Sequence, residues 1–447
     1  MSSKTLPVII VGGGPVGLMA AHICNKLGLD FVLLEQYHSV TPDIGACIGL
    51  WAPSLRVLDQ LGLWDAFEPQ VKPMFDKISF TQEGGIIHSG SIFAVNEKRY
   101  GYQTSMFRRH GILKTLYDSL PERSKQQILV NKKVVALDIK EESVSVRCED
   151  GFEIEGSIII GADGSHSAVR ECTKELARKS FSENEPFGKS EDFKTTYRLL
   201  FGNCPRIGDA KPGTVYECHR FGTSTQVFVG DDIMWFFLYE KLDKPTSEHK
   251  SYAQKDADEI AARYADHRIT KGLHLRDLYK ARSASGATDL EEGILDKWWW
   301  KRIVLVGDAA HKVTPNAGLG FNSGIQDLAA IANGMRSLQS KGGSLHDNEA
   351  IEALFSQYQS QRTKPMRKFG DLSAKTTRIC AWHSRTAMIW DRYIMPALNL
   401  ELIMSRLLVV PIVSNSIVLD WLPEPHYRSG SIAWKTAPNL NLTEEVS

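Results

Sequence analysis

Two glycine-rich segments, far apart in the chain, constrain its fold more than any other feature: VIIVGGGPVGLMAAH from Val8 and RIVLVGDAAHKVTPNAGLGFNSG from Arg302. In the first, the apolar run Val8 to Val11 is followed by Gly12, Gly14 and Gly17 in GxGxxG spacing. An apolar helical pattern through Leu18, Ala21 and Leu27 comes next. This reads as strand, tight turn, helix. A second strand, Phe31 to Leu34, delivers Glu35, placed where a carboxylate holds a ribose hydroxyl of a dinucleotide. The glycines let backbone approach a pyrophosphate, and the partial positive charge of a helix N-terminus stabilises it. Glycine turns of this spacing also occur for packing alone, but flanking strand, helix and acid together favour the nucleotide.

At 447 residues the chain can hold two or three domains. Lys plus Arg and Asp plus Glu number 53 each, so bulk charge recruits neither nucleic acid nor an anionic membrane. The seven cysteines are an odd number without CxxC spacing, which argues against a disulfide framework and against any metal site. A reducing, cytoplasmic location is expected. The apolar stretch after Lys4 runs straight into the glycine turn, so it belongs to the fold and not to a signal peptide. Leu400 to Leu422 is apolar, yet Pro411 and the charges Glu401, Arg406 and Asp420 interrupt it. Spanning a bilayer takes about 20 apolar residues, so no transmembrane helix is expected. Buried packing is the favoured reading, with weak membrane-surface contact as the alternative.

Further along, Gly45 to Trp64 begins with small residues, Gly49 among them, whose backbone can lie against a flat ring, and continues as a helix through Leu55, Leu58 and Leu61. In TSMFRRHGILKTLYDSL, Arg109, Ile112 and Leu116 share a helical face. Arg109 can reach a phosphate from that helix start, with Arg108 competing for the role. Gln127 to Ile160 reads as a small β-meander with a hairpin at Glu149-Asp150-Gly151, ending in GADGSHSAVR. From Phe181 to about Ala284 strands dominate: TTYRLLFG, GTVYECHRFG, STQVFVG and DIMWFFLYE, with a turn at Gly230 to Asp232. Met234, Phe236 and Leu238 share one face of a strand and Trp235, Phe237 and Tyr239 the other. One row packs in a core and the other lines an apolar pocket; the sequence does not say which. Trp298 to Trp300 read as core packing.

GxGxxG with a distant Glu35, GADGSHSAVR and GDAAHKVTPNAGLGFNSG stand in the order found in single-component flavin monooxygenases of the p-hydroxybenzoate hydroxylase type. The chain resembles that family over roughly residues 5 to 370. TTYRLLFG and MWFFLYEKL further resemble the fungal branch that epoxidises or hydroxylates terpenoid and indole natural products. The resemblance implies an α/β fold: a Rossmann-like FAD-binding domain (1–180 and 286–370), an inserted β-sheet substrate domain (181–285) and a C-terminal helical region (371–447). It implies that Gly12, Gly14, Gly17 and Glu35 hold the adenosine half of FAD and that Gly49 and Arg109 sit against the cofactor. Asp163 and Gly164 would lie near the pyrophosphate and the nicotinamide donor, and Asp308 would bond the ribityl chain. Asp308 also follows an apolar strand, where a carboxylate can accept polyol hydroxyls. Pro315, Gly318, Gly320 and Asn322 mark a loop and helix start whose N–H groups can face the flavin and stabilise its reduced form. His311 reads as structural. Arg198 is a candidate to polarise the transferred oxygen, with Tyr197 as a hydrogen-bonding partner; a surface salt bridge is the blander role for Arg198.

Only one dinucleotide fingerprint is present, which fits a class whose NADPH or NADH visits the flavin without its own Rossmann domain. The implied chemistry is flavin reduction, capture of O2 as C4a-hydroperoxyflavin and transfer of one oxygen atom to a hydrophobic small molecule. A phenol hydroxylase, a flavoprotein reductase and a non-catalytic redox-sensing flavoprotein stay open. A halogenase is disfavoured because WxWxIP is missing. Oligomeric state is not legible.

Overall fold

The computed structural model describes residues 6–43, 47–180, 193–248, 250–398 and 400–438. Gly45 and the expected start of the substrate domain at 181 lie outside the described residues. Parallel strands covered on both faces need unbroken apolar runs, and VIIV, FVLL and IVL supply them. They form a six-stranded sheet in the order Trp299–Trp300, Ile303–Leu305, Ile159–Gly161, Val8–Val11, Phe31–Leu34, Ile128–Leu129. All pairings are parallel except that of the Trp299–Trp300 edge. Helices Pro15–Leu27 and Leu319–Ser340 pack against each other beside it. Ile159–Gly161 pairs with both signature strands, so Gly12, Asp163 and Asp308 follow the carboxyl ends of three adjacent parallel strands. Ligands of open α/β sheets bind there. The strands Val134–Ile139, Val144–Cys148 and Glu153–Gly156 form the expected meander.

The second sheet has eight strands and draws on more of the chain than residues 181–285. Its order is His311–Lys312, Ala284–Ile294, Lys194–Pro205, Ile233–Thr246, Thr223–Val229, Thr214–Arg220, Asp76–Thr81, Ile86–Gly90. The hairpin of residues 76–90 joins it by parallel pairing of Asp76–Thr81 with Thr214–Arg220. Strand alternation gives this sheet two unlike faces. Leu200, Met234, Phe236 and Leu238 bury against helices Gln254–Arg263 and Leu275–Lys280. Leu199, Trp235, Phe237 and Tyr239 look the other way and gather with Met74 and Met106 from the first half of the chain. The Met234 row is therefore the core row, and the Trp235 row faces inward between the domains.

Asp347 caps helix Asn348–Cys380, its side chain accepting from the N–H groups of Glu349 and Ala350. Beyond its end, Ala381 joins the inner cluster. Helices Arg385–Ala397 and Leu400–Ser414 follow, bent by 94°. Buried packing holds for Val413, Leu419 and Trp421, but Leu402, Ile403, Leu407 and Leu408 are exposed, so the expectation fails for the first part of the segment. Among the described residues no single helix is long and apolar enough to cross a membrane. All seven cysteines are free thiols.

Candidate active site

At the first glycine turn the three glycines have different reasons to lack a side chain. Gly12 has φ +104°, and a Cβ there would stand 2.5 Å from the Ala162 carbonyl oxygen. On Gly17 a Cβ would meet the Gly12 carbonyl at 1.8 Å. Gly14 is in ordinary extended backbone, and a Cβ on it would meet nothing within 4 Å. The helix that starts at Pro15 has no side-chain cap, so its first N–H groups point unpaired toward that open space. This cradle fits a pyrophosphate. Gly164, at φ +75°, borders open space in the same way.

Glu35 is buried, its carboxylate accepting the N–H of Gly13 at 2.6 Å and of Tyr37 at 2.8 Å. Each oxygen keeps a lone pair for a ribose hydroxyl. Arg109, first residue of helix Arg109–Asp118, is half-buried; burial lowers its guanidinium from the ordinary range and Glu35 opposes that shift. It also lines a cavity of about 280 Å³ that reaches Asn203 and Trp235 on the inner sheet face. Arg108 is exposed and pairs with Asp232 at 3.4 Å, which leaves Arg109 the better placed of the two. The Asp163 carboxylate accepts from Ser167 Oγ at 2.6 Å and the Val169 N–H at 3.0 Å, so its side chain organises the start of helix Ala168–Ser180. Burial raises its carboxyl above the usual range, against those two hydrogen bonds.

At the second signature, no described residue hydrogen-bonds the Asp308 carboxylate. The residue is exposed, yet enough protein surrounds its carboxyl that burial raises it, against the pull of His311 and Lys312. A Cβ on Gly320 would lie 3.7 Å from Asp308 Oδ1, which puts this acid beside the helix start at Leu319. Pro315–Ala317 form one 3₁₀ turn, and Gly318, at φ +64°, turns the chain into that helix. A carboxylate free to accept polyol hydroxyls beside unpaired helix N–H groups fits the ribityl and ring portion of FAD.

Asn322 corrects the sequence reading. Its Oδ1 accepts from the Trp51 N–H at 3.0 Å and Ser54 Oγ at 2.6 Å, and its Nδ2 donates to the carbonyls of Gly49 (2.7 Å) and Gly318 (2.6 Å). The amide is spent on protein partners, so Asn322 positions the Gly49 strand against the Gly318 turn. It is not free to hold the cofactor. Gly49 itself pairs with Met106, whose sulfur would be 3.1 Å from a Cβ there. His311 is structural: its Nε2 meets Asp327 Oδ2 at 2.7 Å, and Asp327 also accepts from Arg362 Nε at 2.8 Å. Trp298 packs on His311 and Tyr358.

Arg198 requires a second correction. It lies on the outer face of the eight-stranded sheet, with Nη2 2.6 Å from Glu240 Oε2, while Arg263 holds the other oxygen of Glu240 at 2.7 Å. The sheet itself separates its side chain from the inner cluster of Leu199, Trp235 and Phe237. Tyr197 faces inward, fully buried, its hydroxyl 2.9 Å from His383 Nδ1; burial pushes the phenol upward.

The polar groups next to the flavin-side loop are ones the sequence reading passed over. Gln226 Nε2 donates to the Asn316 carbonyl at 3.3 Å and to Glu217 Oε1 at 2.9 Å, and Tyr239 Oη donates to Gln226 Oε1 at 3.2 Å. Burial works against the Glu217 charge, but Lys77 and His219 outweigh it and hold the carboxyl well below the usual range. Residues 214–229 alternate polar and apolar as a solvent-facing hairpin does, which hid Glu217 and Gln226. The one available signal was their sharing a strand side opposite Tyr216 and Val227, both of which bury in the outer core.

Residues 5–191 and 245–371 match the family described as FAD binding domain. FAD-dependent monooxygenase prhF of Penicillium brasilianum is 34% identical over 405 residues, covering 88% of this chain and 82% of that one. FAD-dependent monooxygenase esdpE of Penicillium shearii is 31% identical over 449 residues, covering 99% and 91%. Among solved structures, Klebsiella pneumoniae HpxO complexed with FAD and uric acid superposes with a TM-score of 0.74 at 19% identity, covering 91% and 97%. For p-nitrophenol 4-monooxygenase PnpA from Pseudomonas putida DLL-E4 the TM-score is 0.72 at 18% identity, covering 92% and 98%. With the family match over residues 5–191 and 245–371 and relatives at 31–34% identity over most of both chains, the chain belongs to the FAD-binding-domain family and is an FAD-dependent monooxygenase.

Proposed function

We propose that this enzyme transfers one oxygen atom from O2 to a hydrophobic natural-product intermediate, by epoxidation or hydroxylation of a prenyl, terpenoid or indole group. NADPH or NADH serves as reductant. The observation that carries this reading is the inner face of the eight-stranded sheet, where Leu199, Trp235 and Phe237 cluster with Met74 and Met106. Such a wall binds an apolar molecule and excludes water, which would otherwise divert the oxidant to hydrogen peroxide.

Bound FAD supplies electron transfer and oxygen activation. Gly14 and Gly164 leave room for its pyrophosphate, Glu35 accepts a ribose hydroxyl, Arg109 offers positive charge and Asp308 accepts from the ribityl chain. Gln226, fixed by Tyr239, Glu217 and the Asn316 carbonyl, is the polar contact that the inner sheet face makes with the loop at Pro315. Tyr197 acts as a positioning residue through His383. A phenol substrate would require a base, and Glu217 is a poor one because Lys77 and His219 hold its proton affinity far too low. An electron-rich alkene or indole needs no base, and this favours it.

The test is to purify the protein with FAD and follow NADPH and NADH oxidation together with O2 uptake, against prenylated, terpenoid, indole and phenolic compounds. Mass spectrometry under 18O2 should show one labelled oxygen in a prenylated, terpenoid or indole product. Turnover confined to phenols, or reduction without O2 uptake, would overturn the reading.

A further inference from the structure

The charges of residues 385–414 are sorted by side. The segment's two carboxylates point inward: Asp391 accepts from Trp382 Nε1 and meets His219 Nδ1, each at 2.7 Å, while Glu401 pairs with Lys77 and, at 2.5 Å, with His88. Arg385, Arg392 and Arg406 all stand exposed. Between them, Ile389, Tyr393, Leu398, Leu402, Ile403 and Leu407 are exposed as well, Leu398 to 60% and Leu407 to 67%. The segment's outward face of long aliphatic side chains and arginines carries no carboxylate of its own, although Glu83 of the neighbouring hairpin lies within electrostatic reach of Arg392, and such a face complements an apolar phase bounded by negative charge. The segment is bent by 94° at its middle, and neither arm approaches the roughly 20 residues needed to span a bilayer.

We propose that residues 385–414 seat the enzyme on the surface of an anionic membrane, with the aliphatic side chains in the headgroup boundary and the three arginines at lipid phosphates and carboxylates. Two features favour lipid over a protein groove. The apolar side chains are spread over a bent pair of helices, and the acidic groups that would pair with a basic partner are all consumed internally. Lys77, His88 and His219 belong to the eight-stranded sheet, so the ion pairs that hold the segment also bring the edge of that sheet to the lipid. An apolar substrate dissolved in the bilayer would then start close to the inner sheet face. The docking itself stands independently of which substrate the enzyme uses.

The test is sedimentation of the full-length FAD-loaded enzyme, without substrate, with sucrose-loaded vesicles of phosphatidylcholine alone or mixed with phosphatidylserine. The wild type should pellet with the phosphatidylserine vesicles and stay in solution with phosphatidylcholine. Each of Arg392→Glu and Arg406→Glu should weaken binding at least about fivefold, and Leu402→Glu with Leu407→Glu should abolish it. Flavin content and thermal midpoint report that the variants fold; Val135→Glu, on the exposed meander, is the charge control and should bind as wild type. Wild type remaining in solution with both vesicle types, or all variants pelleting as wild type, would overturn the proposal. So would a dimer, seen by light scattering, that the Leu402→Glu/Leu407→Glu protein loses while the wild type ignores vesicles.

Discussion

Gly17 lies so close to Gly12 that a methyl group on it would stand 1.8 Å from the Gly12 carbonyl oxygen. Two positions of one motif therefore separate folding from cofactor binding. Gly17→Ala should destabilise the protein by about 1–3 kcal/mol or more, the usual range for forced overpacking. Gly14→Val should leave the thermal midpoint of the apoprotein near wild type and remove bound FAD, because its side chain enters the space a pyrophosphate requires. Thermal unfolding together with flavin absorbance per mole of protein checks both, and a yellow Gly14→Val protein would contradict the assignment.

Removing the Asn322 amide deprives four groups of their partners at once. With a net of about 0.5–1.5 kcal/mol per hydrogen bond, Asn322→Ala should cost roughly 2–6 kcal/mol in urea unfolding. Asn322→Asp should be no milder, since it would set a carboxylate oxygen against the carbonyls of Gly49 and Gly318. Full stability in either variant would show that the Gly318 turn is held by something else.

Arg198 and Gln226, on opposite faces of one sheet, should differ in what they affect. Arg198→Met breaks a partly screened ion pair with Glu240 and should cost about 1–2 kcal/mol of stability, with kcat/KM changed by less than about threefold. Gln226→Leu should instead lower the product formed per NADPH consumed and raise hydrogen peroxide. Peroxide yield measured beside O2 uptake distinguishes them, and an uncoupled Arg198→Met enzyme would restore Arg198 to the site.

His219 gives stability a pH dependence. Burial opposes its charge, but Cys380, Asp391 and Glu217 face it and the net effect raises it well above 6.5. A folded-state value above the unfolded one means that the contribution is complete below about pH 6.5 and is lost as pH rises toward the folded value. Urea midpoints of the wild type should therefore decline from pH 6.5 upward relative to His219→Gln, and parallel curves would refute this.

The strand-turn-helix-strand unit that carries Gly12, Gly14, Gly17 and Glu35 was legible because its pattern is local, and Asp308 follows a recognisable apolar strand. Asn322 was placed at the right spot with the wrong task, since its partners at 49, 51, 54 and 318 are set by tertiary packing. Tyr197 and Arg198 are neighbours on one strand and so point to opposite faces. Which of them looked inward depended on Glu240 across the sheet and on the helices beyond it. The hairpin of residues 76–90 escaped for a related reason: Lys77, Ser79 and Thr81 occupy its inner side, so its pattern lacks an apolar face of its own on that side.

The parallel pairing of Asp76–Thr81 with Thr214–Arg220 means that the eight-stranded sheet cannot close until strands more than a hundred residues apart have met. Such a long-range closure slows folding. For engineering, the roof is therefore not a removable cassette. A chimera that exchanges residues 193–294 for those of a relative would inherit a sheet whose outermost hairpin still belongs to the recipient, and carrying residues 76–90 as well would still leave Met74 and Met106 of the inner wall and the edge strand His311–Lys312 to the recipient.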